Sequence, residues 1–120
     1  MTMTTFEHAI ESAKILSDKK ASKLSVIRID KVSSLADYMV LATGNNSTHV
    51  KALADEVEFQ LKAMGKTVHH IEGHRSDSWI LLDYSDVIIH VFSDEAREYY
   101  SLDHLWQDGE VVDLSPYISD

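Results

Sequence analysis

WILLDYSDVIIHVF, residues 79–92, contains two extended apolar runs, WILLD and DVIIHVF, joined by Tyr84 and Ser85 alone. Two-residue connections are the commonest between antiparallel strands, so the segment predicts a β-hairpin. Neither Tyr84 nor Ser85 readily takes the positive φ that tight hairpin turns demand, which leaves the turn type open. With these two as the loop, Asp83 stands opposite Asp86, Leu81 opposite Ile88 and Trp79 opposite His90, and opposed residues share a face of the sheet. One face then carries Ile80, Leu82, Val87, Ile89 and Val91, all aliphatic, the composition of a layer packed beneath helices. The other carries Trp79, Leu81, Asp83, Asp86, Ile88, His90 and Phe92. A tryptophan, a histidine and two carboxylates among aliphatics are closer to the centre of a protein interface than to a core, and this face is the candidate docking surface. The plainer reading has a helix covering Trp79 while His90 bonds a carbonyl.

Upstream, Phe6, Ile10, Ala13 and Leu16 recur at helical spacing from Thr5 to about Ser17, with Thr4 or Thr5 as the cap. LSVIRID alternates as a strand, SSLAD breaks it, and YMVLAT resumes an extended run. TGNNS supplies a turn and an N-cap at Asn46 or Ser47, after which Val50, Leu53, Ala54, Val57, Leu61 and Met64 form the clearest helix, closed by Gly65. TVHHI reads as a short strand and EGHRSDS as a polar loop. Beyond the hairpin, Ser93 caps a third helix whose first turn holds Asp94 and Glu95, favourable against the helix dipole. QDGEVVDLSPYISD reads as an acidic tail with one short extended piece. These elements predict one α/β domain over residues 1–107, a mixed sheet of about five strands with flanking helices, followed by a tail over 108–120.

The chain has 120 residues, enough for one domain with a real core. Acidic side chains outnumber Lys and Arg by 20 to 11, and no run of basic residues occurs, which disfavours direct sequence-specific binding to nucleic acid. With no cysteine, disulfides and thiol chemistry are excluded, and a reducing, cytoplasmic setting fits. MTMTTFEHAI lacks the basic start and apolar run of a secretory signal, and no stretch reaches the length of a membrane span.

Other constellations carry less. Asp37, Asp83 and Asp86 near strand ends suggest magnesium-dependent nucleotidyl transfer, but no Gly-Ser followed by an Asp-x-Asp pair accompanies them. His69, His70 and His74 with Glu72 invite a metal site, yet adjacent His69 and His70 point to opposite faces of a strand. No cofactor or metal is expected. His49, in the first turn of the second helix, could serve an anion but more often makes local hydrogen bonds. Arg97 and Tyr100 share a helix face and either clamp a partner or hold the helix on the sheet. Leu102, Leu105 and Trp106 form a stripe suited to packing or self-association.

Five blocks in this order, DYMVLATG, SxxHV from Ser47 to Val50, EG at Glu72–Gly73, WILLDYSDVIIHVF and REYYSLDHLW, resemble the ribosomal silencing factor family, RsfS or Iojap, from the first helix to Trp106. The resemblance implies a fold similar to nucleotidyltransferases in a protein that binds rather than catalyses. It implies docking on the large ribosomal subunit through large-subunit ribosomal protein fourteen, a block on small-subunit joining and repression of translation, with a role in large-subunit assembly as the alternative. Trp79, Asp86, Val87, His90, Arg97 and Tyr100 match its motifs, and the partner-binding set becomes Trp79, Leu81, Asp83, Ile88, His90, Phe92, Arg97 and Tyr100. Relatives often hold glycine where Ser85 stands. A homodimer through the same face is expected when no ribosome is present.

Overall fold

The computed structural model describes residues 3–73, 78–100 and 108–118, apart from the side chains of Tyr99 and Tyr100. The first helix, α1 (Thr5–Asp18), starts at a capping box: the Thr4 hydroxyl accepts from the Glu7 N–H, and the Glu7 carboxylate accepts from the Thr4 N–H. Strands β1 (Ser22–Arg28) and β2 (Tyr38–Gly44) follow, then α2 (Ser47–Ala63), which Asn46 caps by accepting from the His49 N–H at 2.8 Å. Gly65, at φ 91°, ends α2 with the Lys66 N–H bonded back to the Leu61 carbonyl at 2.8 Å. The end of α1 is closed the same way, but by Lys20 at φ 70°. Strand β3 (His70–Glu72), β4 (Trp79–Asp83), β5 (Val87–Ser93), α3 (Asp94–Tyr100) and β6 (Glu110–Val111) complete the described elements.

The strands form one sheet in the order β3-β4-β5-β2-β1-β6. The central pair β2 and β5 is parallel, as the α2 crossover requires, and the flanking pairs are antiparallel. The mixed α/β sheet is the expected one with a sixth strand, because Ile27 pairs with Val111 and Arg28 with Glu110. Val112, Leu114 and Ile118 then pack half-buried against the core on the helix side. Strand β3 begins later than TVHHI suggested. Gly73 follows it at φ 73°, where a Cβ would lie 2.3 Å from the Trp79 carbonyl oxygen.

The hairpin departs from the expected register. Asp83 pairs with Ile88, Leu81 with His90 and Trp79 with Phe92, so the predicted pairs Asp83–Asp86, Leu81–Ile88 and Trp79–His90 are each displaced by two residues. The turn is centred on Ser85 and Asp86: the Tyr84 N–H donates to the Val87 carbonyl and the Asp86 N–H to the Tyr84 carbonyl, both at 2.9 Å. Ser85 takes φ 73°, and its N–H is held by the Asp83 carboxylate at 2.8 Å. A slide by two preserves the division of faces, because side chains alternate with period two.

Ile80, Leu82, Val87, Ile89 and Val91 are buried under α1 and α2 against Leu16, Leu53, Val57 and Leu61. Each such side chain contributes roughly 1.5–3 kcal/mol by leaving water. The opposite face carries a second apolar cluster of Ile27, Ile29, Ala36, Met39, Leu41, Ile88, Phe92 and Ala96, with Trp79 and Leu81 packed at its margin. Among the described residues, no helix is long and apolar enough to cross a membrane.

Candidate docking surface

The second face is assembled by strand alternation from three neighbours. Strand β4 brings Trp79, Leu81 and Asp83, β5 brings Ile88, His90 and Phe92, and β2 lays Met39, Leu41 and Thr43 beside Ile88, His90 and Phe92. On the other flank, Glu72 pairs with Leu81 and His70 with Asp83, and the His70 ring lies 3.2 Å from the Glu72 carboxylate. The apolar centre therefore has an acidic rim of Glu72 and Asp83 with one histidine.

Burial divides the predicted residues. Phe92 is 0% exposed, His90 6% and Ile88 8%, whereas Trp79, Leu81 and Asp83 are half-buried. Only the second group is accessible from solvent, and the first lies beneath it. The Trp79 indole N–H donates to His90 Nδ1 at 3.0 Å. The Trp79 ring centroid lies 5.8 Å from that of His90 and 6.4 Å from that of Phe92, so two neighbours hold its orientation. Burial pushes the His90 imidazole down to about 4, leaving the ring neutral at pH 7. Since Nδ1 accepts, the proton of the neutral ring sits on Nε2.

Arg97 is buried and turned inward. Its Nη1 donates to the Lys23 carbonyl and, at 3.0 Å, to the Thr43 hydroxyl, and its guanidinium carbon lies 5.3 Å from the Phe92 ring centroid. Lys23, at φ 47°, sits in a β-bulge of β1, and its carbonyl accepts from Arg97. Of the two expected roles for Arg97, this geometry is that of a residue holding α3 on the sheet. Tyr100 ends α3, and its side chain lies outside the described residues, as do Leu102, Leu105, Trp106 and His74.

Asp86 does not join this face, contrary to its expected place there. Being in the turn rather than the strand, its carboxylate meets His8 Nδ1 at 3.1 Å from either oxygen, with Lys66 at 3.8 Å. His8 is wholly buried, and desolvation lowers its pKa against the opposing pull of Asp86. His49 makes local bonds: its Nδ1 accepts from the Asn45 N–H, and Nε2 lies 2.8 Å from the Lys19 carbonyl. Thr43, Met39 and Leu41 join the site beyond the residues expected from sequence. Alternation in YMVLAT puts these three on one face, but only the parallel pairing with β5 says which. Nothing in the residue types around Lys23 marks the bulge.

A family model described as "Ribosomal silencing factor during starvation" matches residues 2–120. The ribosomal silencing factor RsfS of Bacillus subtilis is 35% identical over 86% of this chain and 87% of its own length. That of Zymomonas mobilis is 40% identical over 82% of this chain and 74% of its own. A crystal structure of a Chromobacterium violaceum protein superposes with a TM-score of 0.85 at 35% identity, covering 88% of each chain.

Proposed function

The chain belongs to the ribosomal silencing factor family, RsfS, and on that premise we propose that it docks on the large ribosomal subunit through large-subunit ribosomal protein fourteen. The domain, once seated, occupies space that the small subunit needs, so translation is repressed by exclusion and no bond is made or broken. The observation that carries this reading is Trp79: half-exposed, bonded to His90 at 3.0 Å and backed by a fully buried Phe92, it is a preorganised aromatic anchor with a polar rim. The formal net charge of −9 steers the domain toward basic ribosomal protein and repels the RNA of an approaching subunit.

The test is Trp79→Ala in two assays, sedimentation with purified large subunits and subunit joining followed by light scattering. Truncating a central aromatic anchor weakens binding by roughly thirtyfold or more and relieves the block on joining to match. Unchanged binding together with unchanged joining sinks the proposed surface.

A further inference from the structure

The His90 ring presents one nitrogen whose needs are met and one whose needs are not. Nδ1 accepts from Trp79, while Nε2 is buried and has no hydrogen-bond partner among the described residues. Because Nδ1 is the acceptor and the ring is neutral, Nε2 carries the hydrogen, so the unmet group is a donor. Buried N–H groups without acceptors are rare, and one on the face that carries the docking anchor calls for a functional account. The immediate surroundings of the ring are apolar: Leu41 and Leu81 flank His90 on either side in the sheet, and the Phe92 ring stacks at 6.3 Å.

Resting on the docking surface proposed above, we propose that the His90 Nε2–H is a specificity-determining donor, unsealed as the partner engages Trp79 and paired with a neutral oxygen of that partner. A protein carbonyl fits this role. Glu72 and Asp83 on the same face oppose a carboxylate or a phosphate, whereas an uncharged oxygen brings no repulsion. Trp79 holds the imidazole in the tautomer that donates outward, so the anchor and the donor act as one unit. A partner offering an apolar group at this point would leave the N–H unpaired and be rejected.

The experiment compares full-length wild type, His90→Phe and His90→Gln in sedimentation with large subunits. His90→Phe keeps a ring and loses the donor, while His90→Gln supplies both an acceptor for Trp79 and an amide donor. The expected result is roughly tenfold weaker binding for Phe, the equivalent of one buried hydrogen bond, with most of the loss restored by Gln and the ratio unchanged by salt. Unchanged binding by His90→Phe overturns the proposal, and so does an equal loss in both variants, which would mark a packing role. A loss that fades with added salt also overturns it, because it points to phosphate as the acceptor. Trp79→Ala in the same assay separates the two ideas: its failure to weaken binding removes the docking surface itself, whereas a weak Trp79→Ala beside a normal His90→Phe removes only the donor. Should His90→Phe not fold, imidazole nitrogen NMR of wild type with the isolated ribosomal protein decides. A downfield, exchange-protected Nε2 proton on binding supports the assignment, and an unmoved one refutes it.

Discussion

Among the described residues, each face of the sheet buries one histidine, and the two are bonded in opposite senses. On the helix side, His8 Nδ1 meets the Asp86 carboxylate, which only accepts, so His8 donates there and its neutral ring leaves a lone pair on Nε2. On the opposite side, His90 Nδ1 accepts from Trp79 and leaves an N–H. An unused lone pair is tolerated in interiors more readily than an unused donor. His8 thus ties α1 to the hairpin turn and needs nothing further, while His90 sits in a region left unfinished. The neighbouring side chains differ too: the helix side is aliphatic and sealed, whereas the other face adds aromatic rings to its buried aliphatics and leaves Trp79 and Leu81 half-buried at its margin.

Truncation in the hairpin provides the largest test of that contrast. Leu82→Ala opens a cavity under the helices and is expected to cost about 3 kcal/mol in urea denaturation, with ribosome binding by the folded fraction intact. Leu81→Ala, one residue away on the half-buried face, is expected to cost about 1 kcal/mol while weakening binding. Equal destabilisation by the two would erase the distinction between the faces.

Acid sharpens the histidine comparison. An unfolded His90 takes up its proton near pH 6.5, whereas the folded one resists until about 4. The unfolded state therefore binds more protons between these values, and stability is flat above pH 6.5 and falls as pH drops toward 4. His90 alone accounts for a loss of about 3 kcal/mol across that window, and His8, also lowered, adds in the same direction. Denaturation midpoints at pH 7 and pH 4.5 should converge partly in His90→Gln; a slope that this substitution leaves untouched would assign the whole effect elsewhere. The smallest effect is at the turn. Ser85→Gly relieves a positive φ and should raise stability by about 1 kcal/mol at neutral pH, measured in the same denaturation experiment.

Periodicity made most of this architecture legible, because apolar spacing of two and of three to four is imposed by strand and helix geometry. The face division of WILLDYSDVIIHVF survived a wrong register for the same reason: a shift of two residues returns every strand side chain to its side. Asp86 was misplaced because it lies in the turn, where alternation has no meaning. His8 and Ser12 are polar residues inside the helical core, and composition gave no sign that an aspartate 78 positions away would meet one of them. The burial of Arg97 depends on a bulge at a lysine, a feature without a residue-level signature. For β6, the tail's short extended piece is legible, but two residues are too few to say that it pairs with β1.

The parallel pairing of β2 with β5 has a consequence in time. Tyr38 meets Val87 and Gly44 meets Ser93, so the middle of the sheet closes a long loop before it gains any contact. The Trp79–Phe92 hairpin is local and forms in microseconds, but it has no floor until β2 slides in beside it. During synthesis, the docking face is completed only after Ser93 has left the exit tunnel. With docking through this face as proposed, a nascent copy cannot engage the ribosome that is making it until the sheet centre has emerged and folded.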